Sequence, residues 1–231
     1  DLPSTAMELV LIRHGEPSWV EEGLTSNNPG LTPRGFEQAE ALRTHWALEG
    51  ATDLWVSPYK RSQLTALPVA DALGMEPTTY QFLAEVTNPP SWHGGTPEEV
   101  AEALDEFRRR HPDEWWAGFD GGETVRDFHD RVTTGFEHAL LGLGASRTVD
   151  DPILWDHDLD HRIVIVAHQG TNAMLLTTLL GLDVVAWEWE RFYSAHASVA
   201  VVETSRIGPS KAFSLRAFSD TSHLPRTMVT R

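Results

Sequence analysis

The chain has 231 residues, 41% of them hydrophobic, which suits one compact domain or one domain with an elaborated edge. Its 18 Lys and Arg against 34 Asp and Glu give a formal net charge of −16, so nucleic acid and anionic membranes are poor partners. The absence of cysteine excludes disulfides, thiolate catalysis and cysteine-ligated metals.

No stretch is long and apolar enough for a membrane-spanning helix. Asp1 to Met7 lacks the basic and apolar regions of a signal peptide, and a cytoplasmic protein is expected.

The first predicted element is the apolar run Leu9 to Ile12, a strand of the kind buried on both faces. It ends in Arg13-His14-Gly15-Glu16. Such a strand delivers Arg13 and His14 to its carboxyl end, the rim where open α/β sheets bind ligands. A strand that merely ends in polar residues fits these four residues equally well.

Pro17 to Gly30 shows no periodicity and is read as loop. Thr32-Pro33 opens a helix, with threonine as N-cap and proline at the first helical position. Phe36, Ala39, Ala41, Leu42 and Trp46 form its apolar side, and Gly50 ends it. Asp53 to Val56 is a short strand broken by Ser57-Pro58. A helix over about Arg61 to Leu73 follows, presenting Leu64, Leu67 and the Ala66/Ala70 surface to a core, and Gly74 closes it.

Thr78 to Leu83 reads as a third strand leading to Glu85. Thr87 to Gly95, rich in proline and glycine, is a covering loop that contains Trp92 and His93. Thr96-Pro97-Glu98-Glu99 is a capping-box start, and Val100, Leu104 and Phe107 are the buried stripe of the next helix. Arg108-Arg109-Arg110 is read as its solvated face.

After Asp120-Gly121-Gly122-Glu123, an amphipathic helix runs through Val125, Phe128, Val132, Phe136 and Leu140. The stretch from Gly142 to His161 is irregular and acidic. Its Asp156-His157-Asp158-Leu159-Asp160-His161 would need converging ligands elsewhere to hold a metal, and an exposed charged loop is expected. Ile163 to Val166 is another strand, ending Ala167-His168-Gln169-Gly170. A helix from about Thr171 to Leu180 and strands at Ser198 to Glu203 and Ala212 to Phe218 complete the chain.

The alternation predicts a three-layer α/β/α sandwich with a mostly parallel central sheet. A single domain over 1–231 is expected, with a cap excursion at about 86–122 and an acidic loop at about 144–161. If the strands share one sheet, His14, Arg13, Arg61, Glu85 and His168 converge on one rim. Two strand-end histidines, two arginines and a carboxylate at equivalent places are hard to attribute to packing.

These residues resemble the histidine phosphatase superfamily, with its phosphoglycerate mutase-like fold. Arg13-His14-Gly15-Glu16 is similar to the family hallmark, and Leu31-Thr32-Pro33-Arg34-Gly35 with Gln38-Ala39 to the segment that follows it. Ser57-Pro58-Tyr59-Lys60-Arg61-Ser62-Gln63-Leu64-Thr65-Ala66 resembles the second motif. Glu85 with Trp92-His93-Gly94 resembles the acid-bearing segment, Gly122-Glu123-Thr124 with Arg131-Val132 the helix start beyond it, and Val166-Ala167-His168 the second-histidine motif. The Asp220 to Pro225 tail resembles family C-termini.

The resemblance implies a metal-free site. In it His14 attacks phosphorus and becomes phosphohistidine, while Arg13, Arg61 and His168 surround the equatorial oxygens. Glu85 protonates the leaving oxygen and then activates water. No cofactor is implied, and the expected partner is a small phosphorylated substrate. Monomer and homodimer both stay open, with Trp187 and Trp189 as a conceivable partner surface.

Three departures bear on the reaction. Pro17 and Val20 stand where phosphoglycerate mutases carry serine and a phosphate-binding asparagine, leaving Asn27, Asn28 or Asn172 to replace the latter. Gln169 stands where many members have glycine and narrows the site. The Thr87 to Gly95 cover lacks the basic cluster expected for a bisphosphorylated cofactor.

A phosphatase is therefore expected. A mutase-type phosphotransferase and a non-catalytic phospho-ligand or protein-binding domain are the alternatives. Gln169, Asn27 and Trp92 join Arg13, Arg61 and His168 as expected substrate contacts. Trp92, His93, Trp115 and Trp116 either line a pocket for an aromatic or sugar leaving group or belong to core and rim, and core packing is the stronger expectation for Trp115 and Trp116.

Overall fold

The computed structural model describes residues 6–231. In chain order the strands and α-helices are β1 Met7–Arg13, β2 Val20–Glu21, β3 Leu24–Thr25, α1 Pro33–Ala41, β4 Asp53–Val56, α2 Lys60–Leu73, β5 Thr78–Thr79, α3 Pro97–Arg109, α4 Val125–Leu143, β6 Ser146–Arg147, β7 Trp155–Asp156, β8 His161–Ala167, α5 Gln169–Leu179, α6 Glu188–Arg191, β9 Val199–Ile207 and β10 Ser210–Asp220. Eight strands form one sheet in the order β5-β4-β8-β1-β9-β10-β7-β6.

The period-two alternation of strands divides the interior into two cores. Leu9, Leu11, Trp55, Ile163 and Ile165 face the side covered by α4 and α5. Val10, Ile12, Leu54, Val56, Val164 and Val166 face the side of α1 and α2. Both faces are covered, which is why β1, β4 and β8 are nearly continuous apolar runs. The three-layer α/β architecture is as expected.

The sheet is mixed rather than mostly parallel. β5, β4, β8 and β1 run parallel, whereas β9, β10, β7 and β6 join through antiparallel pairs. The reason lies in the connection of β9 to β10 through Gly208-Pro209, too short for the crossover that parallel strands require.

Several expected elements differ in detail. Only Thr78 and Thr79 of the third strand pair with β4. The chain then turns through a 3₁₀ segment, Gln81–Leu83, which drives Leu83 into the core. The helix expected to run to Gly50 ends at Ala41 and continues as 3₁₀ turns at Leu42–Thr44 and Trp46–Leu48.

Phe36, Trp46 and Leu67, expected to be inside, are exposed. The buried face of α1 consists of Gly35, Gln38 and Ala39 because the helix lies directly on the β1–α1 loop. A Cβ on Gly35 would sit 2.2 Å from the Glu16 carbonyl oxygen, so only glycine permits this approach. Along α3 only Phe107 is buried; Val100 and Leu104 are half-buried in a cleft wall.

The acidic stretch is not uniformly exposed either. Asp156, Asp158 and Asp160 face solvent while His157 is buried, its carbonyl accepting from Lys211. Among the described residues no group of three or more His, Asp or Glu side chains can hold a metal ion.

Candidate active site

Strand register builds the site. β1 pairs with β8 so that Arg13 lies opposite Ala167, and the His14 amide donates to the Ala167 carbonyl at 3.0 Å. The residues that end the two strands, His14 and His168, therefore sit side by side, ring centroids 5.1 Å apart. β4 runs parallel on the far side of β8 and brings Ser57, Tyr59 and the first turn of α2 to the same rim.

His14 is buried, and its Nδ1 lies 2.8 Å from the Gly15 carbonyl oxygen. A carbonyl only accepts, so Nδ1 carries the hydrogen. Nε2 then presents its lone pair, and it accepts from Arg61 Nε at 3.2 Å. Burial, Arg61 and Arg13 push the His14 pKa well below its ordinary value. The imidazole is neutral, with Nε2 as its basic atom.

Thr65 fixes this corner from α2. Its Oγ1 accepts from the Gly15 amide at 3.0 Å and donates to the Arg61 carbonyl at 2.7 Å.

Arg61 is held flat between Trp19 and Tyr59, its guanidinium 4.9 and 5.0 Å from the ring centroids. Arg13 reaches Gln169 Oε1 at 2.6 Å, the Ser194 carbonyl, and His196 Nε2 at 2.9 Å. Burial lowers both arginines to about 10, which leaves them cationic near neutrality.

His168 Nε2 lies 2.6 Å from Ser57 Oγ and 3.3 Å from Ser62 Oγ. Ser57 Oγ also accepts the Tyr59 amide; when its hydroxyl donates to Nε2, the His168 hydrogen is on Nδ1. Arg61 Nη1, Arg13 Nε and His168 Nδ1 are buried donors with no partner among the described residues.

Glu85 reaches this group from a different element than expected. It follows the 3₁₀ turn, not a strand, and its carboxylate accepts from the Gly170 amide at 2.8 Å and the Thr171 amide at 3.2 Å, at the N-terminus of α5. Burial raises its pKa, and the amide bonds, Arg61 and Arg13 only partly offset this. The segment is stapled by Arg131, which donates to the carbonyls of Phe82, Ala84 and Glu85 while forming a bidentate pair with Glu123 at 2.8 and 2.9 Å.

The other expected contacts are more dispersed. Gln169 is a clamp, accepting from Arg13 and donating to the Trp189 carbonyl at 2.9 Å. Asn27 and Trp92 line a neighbouring lobe of the cleft, Asn27 donating to the Pro89 carbonyl at 2.9 Å. Asn28 caps α2 through the Lys60 amide, and Asn172 is buried beneath Arg13. Glu16 is structural: it accepts from Thr32 Oγ1 at 2.8 Å and pairs with Arg34.

Trp115 lines the cleft beside Trp189 instead of entering the core, whereas Trp116 packs half-buried against the core as expected. Trp189 lines the cleft.

His196, Ser57, Tyr193, Trp19 and Arg131 belong to the site although the sequence reading gave them no role. The signal for His196 was its place just before an apolar strand. Antiparallel β9 starts at the rim where β1 ends, so residues preceding it arrive beside His14, ring centroids 5.8 Å apart.

A family model for "Histidine phosphatase superfamily (branch 1)" matches residues 9–213. The chain belongs to this superfamily. Phosphoserine phosphatase 1 of Hydrogenobacter thermophilus is 30% identical over 199 residues, covering 85% of this chain and 86% of that protein. The bifunctional protein Rv2228c of Mycobacterium tuberculosis is 29% identical over 223 residues, 95% of this chain but 56% of that protein. Among solved structures, the alpha-ribazole phosphatase of Shigella flexneri superposes with a TM-score of 0.69 at 22% identity, covering 93% of this chain and 96% of that one, a likeness of fold.

Proposed function

We propose that this member of the superfamily is a phosphomonoesterase that hydrolyses a small phosphomonoester through a phosphohistidine on His14. The observation that carries the reading is the pairing of a neutral, buried His14, its Nε2 basic, with three partnerless donors on Arg13, Arg61 and His168. Buried donors of this density suit the non-bridging oxygens of a phosphoryl group. A relative named as a phosphatase, phosphoserine phosphatase 1 of Hydrogenobacter thermophilus, supports the same class.

In the first step His14 Nε2 attacks phosphorus and the ester P–O bond breaks. The Glu85 carboxyl gives its proton to the departing oxygen. In the second step a water oxygen attacks phosphorus, the Nε2–P bond breaks, and the water proton returns to Glu85. Arg61, which donates to Nε2, shifts its hydrogen bonds to the phosphoryl oxygens as the substrate enters. The chain's own cations supply the charge, and no metal is required by the scheme.

The test is hydrolysis of p-nitrophenyl phosphate and a panel of phosphorylated metabolites with a metal chelator present. Wild-type protein should trap acid-labile phosphate, and His14→Ala should trap none. No turnover and no labelled wild-type protein across the panel would overturn the proposal.

A further inference from the structure

The cleft above Glu85 divides into two lobes that share Trp19, Leu104 and Phe119. The larger, about 440 Å³, is walled by Trp19, Trp92, Val100, Leu104 and Phe119. Among the described residues its only charged side chains are Arg61 and Glu85, both belonging to the reaction centre. Two of its polar groups are turned away from an occupant: Thr25 Oγ1 donates to the carbonyls of Trp92 and Gly95, and Asn27 donates to the Pro89 carbonyl. Ser26 and Asn88 are the other polar side chains there, and both are neutral.

The smaller lobe, about 360 Å³, is different. It carries Arg108 and Glu190 in addition to Phe107, Trp115 and Trp189.

We propose that the larger lobe holds the leaving group, and that the preferred substrate is the phosphate ester of an uncharged apolar alcohol bearing an aromatic ring. This rests on the phosphomonoesterase reading above and adds the identity of the alcohol. An alcohol carrying a carboxylate would have to bury that charge against Trp92, Val100 and Phe119, with no cation beyond those committed to the phosphoryl group. An aromatic ring of moderate size meets tryptophan and phenylalanine faces instead: Trp92 and Phe119 pack on each other with ring centroids 4.7 Å apart and form one aromatic wall for it to lie against.

The discriminating pair is 3-phenylpropyl phosphate and phosphoserine. The leaving alkoxide of the first is no better than that of the second, so a preference reports the subsite and not the chemistry. For wild-type protein, kcat/KM for the phenylpropyl ester should exceed that for phosphoserine by about 100-fold. A cation placed in the lobe, as Val100→Lys or as Ala101→Lys at an exposed turn of α3, should cut that ratio about tenfold or more. The two positions guard against a misfolded variant, and thermal melts identify one.

A wild-type ratio of one or below would overturn the leaving-group assignment while phosphohistidine trapping left the phosphatase reading intact. So would a ratio that responds to Arg108→Ser but to neither lysine substitution, which would put the alcohol in the smaller lobe. Absence of turnover and of trapped phosphate with every donor would overturn both.

Discussion

The tautomers of two histidines decide what this rim can do, and each is set by one neighbour. The Gly15 carbonyl keeps the proton on His14 Nδ1, and a Ser57 hydroxyl that donates to His168 Nε2 puts that ring's proton on Nδ1. Ser57→Ala would leave His168 free to turn or change tautomer, removing one aligned donor. The expected loss is about tenfold in kcat/KM, the worth of one hydrogen bond, with Tm changing little. A change under twofold would count against the assignment.

Glu85 controls the other side of the reaction. Its raised pKa keeps a fraction protonated above the ordinary carboxyl range, and the acid is lost as pH climbs through that raised value. His14 stays neutral far into acid, so it contributes no limb near neutrality. kcat/KM for an alkyl phosphate should therefore fall on the alkaline side. Glu85→Gln should abolish that limb and cost about 10²-fold with alkyl esters, but much less with p-nitrophenyl phosphate, whose leaving group needs no proton. Equal losses with both esters would remove Glu85 from the acid role.

At the level of elements, the first turn of α5 is both a helix start and a carboxylate rest. A Cβ at Gly170 would lie 2.5 Å from Glu85 Oε1, the far end of a flexible side chain. Gly170→Ala should thus leave stability nearly unchanged, since the carboxylate can swing away and alanine favours a helix by about 1 kcal/mol. The same swing takes the acid off its amides, and kcat for alkyl esters should drop about 10²-fold. Paired thermal melts and alkyl-ester kinetics check this; a melting point lowered in step with activity would mean that the glycine is needed for packing instead.

The elements also show what was legible beforehand. His14 and His168 stood out because apolar runs ending abruptly in histidine are readable one strand at a time. The β9 direction was not readable, because nearly continuous burial removes the alternation that distinguishes antiparallel strands. His196 was missed for that reason alone. Glu85 was expected on the rim as the end of a third strand, and it is there although that strand dissolves after Thr79. Its position depends on Arg131, 46 residues further along the chain, which no local pattern reports. Val100 and Leu104 had the periodicity of a core stripe, yet they wall a cleft, since spacing defines an apolar face and not what covers it.

For the whole molecule, the rim sets a pH dependence of stability. His14, His168 and His196 are buried beside Arg13 and Arg61, and all three have lowered pKa values, that of His196 about 3. In the unfolded chain each takes up a proton as pH falls through about 6.5, while the folded protein keeps them neutral. Folding stability is therefore fully present above that value and is lost below it, by about 1.4 kcal/mol per pH unit for each group, or up to about 4 for the three. Glu85 acts with the opposite sign, because its raised pKa makes the fold hold a proton that the unfolded chain releases. It is one group against three at the rim, and burial lowers His45, His157 and His223 as well, so the histidines prevail. Urea melts should show the midpoint flat from pH 8 to 7 and falling steeply from about 6.5 to 5. His196→Gln retains a side-chain acceptor for Arg13 without a titrating ring, and it should make that fall shallower. A slope identical to wild type would show that His196 takes up its proton in the folded protein as readily as in the unfolded chain.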